Sequence, residues 1–133
     1  MAVRTTKEIE NYIVPLFKLL KLSSKEPKWI GLRFMINVSL SLKGEHKNFP
    51  IEFNSDFNGS EYRLMQITGE HKESEDFTNY YHKMIESYDE IELKTAREFE
   101  KRLEYHIQRG HEILRTSLKQ NSNIYEFMLQ DLF

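Results

Sequence analysis

Cysteine is absent from the 133 residues of this chain, which excludes disulfide bonds, thiolate metal sites and a thiol nucleophile. Glycine and proline are scarce, with five and three copies, and no glycine-rich phosphate-binding loop is present. No apolar run approaches the roughly 18 residues that a membrane-spanning helix needs. The first residues also lack the apolar segment of a secretory signal peptide. We therefore expect a cytoplasmic protein that does not contact a membrane.

The composition is that of a folded globular protein, with 39% hydrophobic and 30% charged residues. The length fits one domain over residues 1–133. The formal net charge is only −2, but residues 70–92 hold eight acidic and two basic side chains, whereas residues 93–119 hold seven basic and four acidic ones. We interpret this alternation as complementarity between elements of the fold. The balanced total argues against a strong electrostatic surface for nucleic acid.

The stretch from Leu93 to Lys119 carries the clearest helical pattern. Its apolar and small residues recur every three or four positions and therefore share one face: Ala96, Phe99, Leu103, Ile107, Gly110, Ile113, Leu114 and Leu118. A glycine such as Gly110 in the middle of a helix costs about 1 kcal/mol relative to alanine. We expect the close approach of another helix, from this chain or from a second copy, to account for that cost.

Three further helices are predicted around this long one. The first covers residues 6–22, where Pro15 is expected to kink the helix or divide it. The second begins at Ser74, and its apolar stripe is one residue out of phase with the long helix, which indicates a break between them; a single helix over residues 74–119 remains the alternative. The last covers Ile124–Phe133, in which seven of ten side chains are apolar.

Residues 32–42 alternate between apolar and polar side chains, which predicts a strand with one buried face: Leu32, Phe34, Ile36, Val38, Leu40 and Leu42. Residues 49–57 continue the alternation, Asn58-Gly59 is typical of a type I′ hairpin turn, and a return strand follows over residues 60–68. The predicted fold is therefore α+β, with an N-terminal helix, a three-stranded antiparallel β-meander, and two or three C-terminal helices including the long one.

Polar side chains that could form a site are concentrated on the long helix: Arg102, His106, Arg109 and His111. Arg102 and His106 are four positions apart and are therefore neighbours on a helix. One alternative is thus a divergent nuclease or other hydrolase using Arg102, His106 and His111, although a packed histidine beside the apolar stripe is the simpler explanation. The sequence has no paired-carboxylate motif, zinc signature or nucleophile elbow. We therefore assign no catalytic, cofactor-binding or metal-binding residue and expect no cofactor.

We predict a small non-enzymatic interaction or regulatory protein, for example an accessory, inhibitor or phage- and defence-type protein. Its partner would be a second copy of the chain or another protein. The predicted interface combines the terminal apolar segment with the mid-helix glycine: Phe127, Leu129, Leu132, Phe133 and Gly110. The other alternative is a nucleic-acid-binding accessory protein that uses basic residues of the long helix: Arg97, Lys101, Arg109 and Arg115.

Overall fold

The computed structural model describes residues 2–69 and 76–120, with side chains as far as Leu118. The elements in chain order are β1 (Val3–Arg4), α1 (Lys7–Leu19), α2 (Lys28–Ser41), a 3-10 helix (Gly44–Asn48), β2 (Glu61–Tyr62), α3 (Leu64–Thr68), α4 (Thr78–Asp89) and α5 (Ala96–Gln120). None of these helices is long and apolar enough to cross a membrane. The predicted terminal helix Ile124–Phe133 lies outside the described residues.

The predicted α+β class is wrong, because the described part of the chain is mostly helical. Its sheet consists of two strands of two residues each, β1 and β2. They run antiparallel, with Val3 opposite Tyr62 and Arg4 opposite Glu61. Within residues 2–69 and 76–120 there is no three-stranded meander.

The first predicted strand, residues 32–42, is instead the helix α2. The alternating pattern placed Met35 and Ser39 on a polar face, yet both are 0% exposed. Together with Leu32 and Ile36 they follow the three- and four-residue steps of one helix face. Because α2 contacts α1, α3, α4 and α5, it needs apolar residues on several sides, and no single stripe marks it as a helix.

The second and third predicted strands are wrong as well. Residues 49–60 have no regular secondary structure, and the remainder of the predicted return strand divides into β2 and α3. Asn58 and Gly59 do not form a type I′ turn, since neither has the positive φ that this turn requires. Gly59 instead donates its backbone N–H to the carbonyl of Thr5 (3.0 Å), and Asn58 Oδ1 accepts from the N–H of Lys7 (2.7 Å). The segment is therefore tied to the N-terminus rather than to α2.

Several helical predictions agree with the structure. The predicted long helix corresponds to α5, and the predicted break before it is present. α4 ends at Asp89, where Glu90 takes a left-handed φ of 56° and stops the helix. The N-terminal helix α1 begins after Thr6, whose side chain accepts from the N–H of Ile9. It continues through Pro15 as one helix, so the predicted division of the helix at Pro15 is wrong.

Gly110 marks the point where α5 crosses α2. A Cβ atom at this position would lie 1.8 Å from the carbonyl oxygen of Met35, so only glycine allows the two backbones to approach so closely. The sequence predicted a crossing helix at Gly110 from this chain or from a second copy, and the structure shows that it is α2 of the same chain. The core around this crossing is formed by apolar residues of α1, α2 and α5: Ile13, Leu16, Phe17, Leu32, Ile36, Leu103, Ile107 and Leu114.

Candidate functional site

A chain of hydrogen bonds joins α2, α4 and α5 in the interior. His106 of α5 is 0% exposed. Its Nδ1 lies 2.7 Å from Ser39 Oγ in α2, and its Nε2 lies 2.8 Å from Asp89 Oδ2 at the end of α4. Arg102, one turn earlier on α5, donates from Nη2 to the same carboxylate oxygen at 2.8 Å. These four residues, called here the buried polar cluster, therefore connect α2, α4 and α5.

Arg109 extends the buried polar cluster to the segment that follows α2. Its side chain is 2% exposed although it carries a permanent charge. Nη1 donates to the carbonyl (2.7 Å) and hydroxyl (3.0 Å) oxygens of Ser39 and to the hydroxyl of Tyr88 (3.1 Å). Nε and Nη2 donate to the carbonyl oxygens of Phe49 (3.1 Å) and Lys47 (2.7 Å). One guanidinium thus holds α2, α4 and the irregular segment against α5.

These bonds determine where the proton of His106 lies. Arg109 has donors only, so Ser39 Oγ must accept from it, which leaves the hydroxyl hydrogen available for a bond to Nδ1 of a neutral His106. Nδ1 is then an acceptor, and Nε2 carries the hydrogen that is donated to Asp89. The arrangement is complete with a neutral imidazole, and a second proton on the ring would face the positive charges of Arg102 and Arg109.

The pKa values of the cluster agree with this assignment. Burial lowers the pKa of His106, and the charges of Arg102 and Arg109 lower it further, which together outweigh the opposing effect of Asp89. Burial alone would raise the pKa of Asp89, but the hydrogen bonds and charges of His106 and Arg102 outweigh it and hold that pKa below its usual value. Burial also lowers the pKa of His111.

The protein is expected to lose stability as the pH falls below about 6.5, the ordinary pKa of an unfolded histidine. His106 and His111 both have lowered pKa values in the folded state, so the unfolded chain binds more protons in this range and acid favours unfolding. Their stabilising contribution is complete above that pH. The lowered pKa of Asp89 adds a further loss below about pH 4. Urea unfolding midpoints measured from pH 8 to pH 3 test this.

The double variant His106→Gln/His111→Gln is the control for this experiment. It is expected to be less stable overall, yet its unfolding midpoint should be nearly independent of pH between about 7 and 5. A variant with only one of the two substitutions should retain part of the change of unfolding midpoint with pH. A double variant that keeps the full slope would contradict the assignment to these two histidines.

Ser39, His106 and Asp89 are joined by hydrogen bonds in the order of a hydrolytic triad, but these bonds stabilise the fold. Ser39 and His106 are both 0% exposed, and the Ser39 hydroxyl is already used by Arg109 and His106. His111, which the hydrolase alternative also requires, lies apart with its ring edge-on to Tyr12 of α1, at 4.9 Å between ring centroids. No group of three or more histidine or carboxylate side chains within the described ranges could hold a metal ion.

Of the four polar residues singled out in the sequence, three meet in the cluster: Arg102, His106 and Arg109. The sequence reasoning missed their partners Ser39, Tyr88 and Asp89. Residue 39 falls on the polar side of the alternating pattern that predicts a strand, and no pattern in the sequence indicates a role for Tyr88 or Asp89 in a site. The four-residue spacing of Arg102 and His106 predicts only that these two side chains are neighbours on the helix.

A second candidate site is an open groove of about 760 Å3 beside the start of α5, called here the aromatic groove. It is lined by residues of the irregular segment, of the α4–α5 connection and of α5: Arg4, Phe53, Ser55, Phe57, Ile91, Glu92, Leu93, Arg97, Glu98, Lys101, Arg102, Glu104 and Tyr105. Phe53 and Ile91 are 41% and 40% exposed, respectively. The groove therefore presents apolar surface to solvent.

Three aromatic rings and two guanidinium groups lie close together in the aromatic groove. The ring centroid of Phe53 lies 6.0 Å from that of Phe57 and 6.4 Å from that of Tyr105. Arg4 lies over the Phe57 ring at 4.3 Å, and Arg102 lies over the Tyr105 ring at 4.4 Å. These are cation–π distances. Phe57 and Tyr105 are half-buried, and Phe53 is exposed.

The charges around the aromatic groove are largely paired. Arg4 lies 3.3 Å from the buried carboxylate of Glu104, and Arg97 lies 3.7 Å from Glu100. Lys101 is exposed and has no hydrogen-bond or ion-pair partner among the residues that the structure describes. The groove thus offers few cations that are free to meet a phosphate.

The basic residues named in the nucleic-acid alternative do not form one surface. Arg109 is buried, Arg97 is paired with Glu100, and Arg115 is paired with Glu112 near the other end of α5. Gly110, named in the predicted interface, is buried against α2. The other four residues of that interface lie outside the described ranges: Phe127, Leu129, Leu132 and Phe133.

Comparison with known proteins gives a family but no individual relative. A family model described as DNA sulphur modification protein DndE matches residues 2–122, which is most of the chain. The searches of curated proteins and of solved structures found no match. The chain belongs to the DndE family of DNA sulphur modification proteins.

Proposed function

We propose that this chain is a non-enzymatic accessory protein of DNA sulphur modification, which binds other macromolecules rather than transforming them. The observation that carries the proposal is the commitment of the buried polar cluster to the fold. His106 and Arg109 are hydrogen-bonded to residues of α2 and α4 and are only 0% and 2% exposed. A catalytic histidine must instead reach a substrate within hydrogen-bonding distance.

The binding surface that we propose is the C-terminal segment of residues 121–133. Its sequence is rich in large apolar side chains: Ile124, Tyr125, Phe127, Met128, Leu129, Leu132 and Phe133. Monomeric proteins rarely leave a contiguous apolar patch of this kind in contact with water. A two-fold axis would bury the segment against a second copy with one self-complementary surface. The partner is therefore proposed to be a second copy of the chain.

Removal of residues 121–133 is expected to convert a dimer into a monomer, as measured by size-exclusion chromatography with light scattering. The same shift should follow from Phe127→Asp and Leu129→Asp in the full chain, because a buried unpaired charge opposes association. Gln130→Ala is the matched control and should leave the dimer intact. A full-length chain that is monomeric at tens of micromolar would contradict the proposed self-association.

The same variants separate binding from catalysis in cells that lack the chain and receive it back. The truncated chain should fail to restore sulphur in DNA, measured by mass spectrometry of nucleotides. His106→Gln should restore it at a temperature at which the variant is folded. A folded His106→Gln protein, present at wild-type level, that restores no sulphur would contradict the non-enzymatic role.

A further inference from the structure

We infer that the aromatic groove is the docking site for the C-terminal segment, residues 121–133, of a second copy of the chain. The inference rests on the self-association proposed above, and it names the surface of one copy that receives the apolar segment of the other. Two copies related by a two-fold axis fill both grooves by exchanging their segments, so one kind of contact is used twice.

The aromatic groove exposes apolar surface around a space that several side chains can fill. Phe53 of the irregular segment and Ile91 of the α4–α5 connection are 41% and 40% exposed. The groove volume of about 760 Å3 is several times the roughly 150 Å3 of a cavity that one truncated side chain leaves in a core. The C-terminal segment supplies three aromatic rings, from Tyr125, Phe127 and Phe133. Such rings pack favourably against an exposed ring, edge-to-face or offset.

The charges of the two surfaces favour the same occupant. The charged side chains of the C-terminal segment are both acidic, Glu126 and Asp131. Lys101 lines the groove, is exposed and has no hydrogen-bond or ion-pair partner among the residues that the structure describes. Glu92 and Glu98 also line the groove, so the net electrostatic attraction is small. Apolar contact therefore supplies most of the affinity, and Lys101 adds a preference for an acidic segment.

Within one chain, the C-terminal segment follows the end of α5 that is remote from the groove. α5 ends at Gln120, and Tyr105, the groove residue of α5 nearest to that end, is fifteen residues earlier. At about 1.5 Å per residue this separation is about 22 Å. The helix that the sequence predicts for Ile124–Phe133 would be only about 15 Å long, and residues 121–123 are needed to reverse its direction. Its apolar side chains therefore fall short of the groove of their own chain.

A second copy brings the segment and the groove together. When two α5 helices pack antiparallel about a two-fold axis, the end of each helix lies beside the start of the other. α5 has a face for this packing, because exposed side chains continue along one side of it at Glu98, Lys101 and Arg115. The segment that continues from Gln120 then meets the groove of the other copy.

The first test is the variant Phe53→Asp in the full chain, studied by size-exclusion chromatography with light scattering over a range of concentrations. Removing one buried anchor weakens an interface about tenfold or more, and the dimer contains two such contacts. The Kd of dimerisation is therefore expected to rise about a hundredfold. Phe77→Asp is the matched control and should dimerise as the wild type does, since Phe77 is a phenylalanine of equal exposure, 41%, that does not line the groove.

Charge reversal gives an independent measurement. Lys101→Glu is expected to weaken dimerisation about fivefold at low salt, because it replaces an attraction to the acidic segment with a repulsion. Adding Glu126→Lys and Asp131→Lys to the same chain should restore the affinity. Unchanged dimerisation of Lys101→Glu at low salt would overturn the choice of this segment as the occupant.

The decisive experiment mixes Phe53→Asp with Phe127→Asp. The first chain has an intact segment and the second an intact groove, so the mixture can form one of the two contacts. It should contain dimers at concentrations at which each variant alone is monomeric, with a Kd about tenfold above that of the wild type. This recovery also shows that both variants are folded. Two monomeric variants that do not recover on mixing would overturn the inference.

The outcomes separate this inference from the proposed self-association. A Phe53→Asp chain that remains dimeric, while removal of residues 121–133 gives a monomer, would leave the self-association standing and overturn the docking site. Segments that pack only against each other, or a groove that is occupied by a different protein, would give that result. A full chain that is monomeric at tens of micromolar would overturn both.

Discussion

Gly110→Ala is expected to destabilise the protein by about 3 kcal/mol, the upper range for overpacking a core. The new Cβ would lie 1.8 Å from the carbonyl oxygen of Met35 and 2.5 Å from its carbonyl carbon. Backbone atoms in the middle of a helix cannot rotate away, so α2 and α5 would have to separate. Because the core lies on both sides of this crossing, the separation would disturb packing along both helices.

Gly31→Ala is the matched control for Gly110→Ala, since it makes the same change in the first turn of α2. A Cβ at Gly31 would lie 3.3 Å from side-chain atoms of Ile13 and Phe17, which can shift by a few tenths of an ångström. The better helix propensity of alanine, up to about 1 kcal/mol, offsets this crowding. Equal urea unfolding midpoints for the two variants would show that the crossing is looser than described.

Arg109→Met is expected to lower the free energy of unfolding by about 3–5 kcal/mol, which is typical of removing one partner from a buried charged network. The methionine fills part of the space but leaves the carbonyl oxygens of Ser39, Phe49 and Lys47 without their donors. Arg109→Lys should not rescue the protein, because one ammonium cannot reach acceptors on separate segments in the way a planar guanidinium does.

Arg115→Met on the same helix is the control for Arg109→Met. Arg115 is exposed and, among the described residues, pairs with Glu112 alone, so its loss should change stability by no more than about 0.5 kcal/mol. Thermal unfolding of the three variants side by side separates the two positions. An Arg109→Met protein that unfolds at the same temperature as Arg115→Met would contradict the structural role of the buried guanidinium.

The helices α5 and α2 show what the sequence could and could not predict. α5 has one buried face and one exposed face over most of its length, so its apolar residues form a stripe with a helical period. α2 is covered on several sides, and its apolar residues at 32, 34, 36, 38, 40 and 42 match a strand as well as a helix. Only the burial of Met35 and Ser39, which depends on the packed structure, resolves the ambiguity.

The part of the buried polar cluster that lies on one helix could be predicted from the sequence, and the part that depends on contacts between helices could not. Arg102 and His106 share one helix face, and their spacing alone made them neighbours. Asp89 reaches His106 only because α4 and α5 pack together, and Ser39 only because α2 is a helix. Gly110 lay between these cases: the sequence indicated a close approach at that position, and the structure supplied Met35 as the residue approached.

The irregular segment of residues 49–60 forms one wall of the aromatic groove yet has no helix or sheet of its own. It is held at separate points, one of them the side-chain amide of Gln108, which bonds both the N–H (2.9 Å) and the carbonyl (2.8 Å) of Asn54. Phe53 beside this tether contributes little to the core. Substitutions in this wall should therefore change the surface of the aromatic groove at little cost in stability, because the α2–α5 crossing keeps the protein folded.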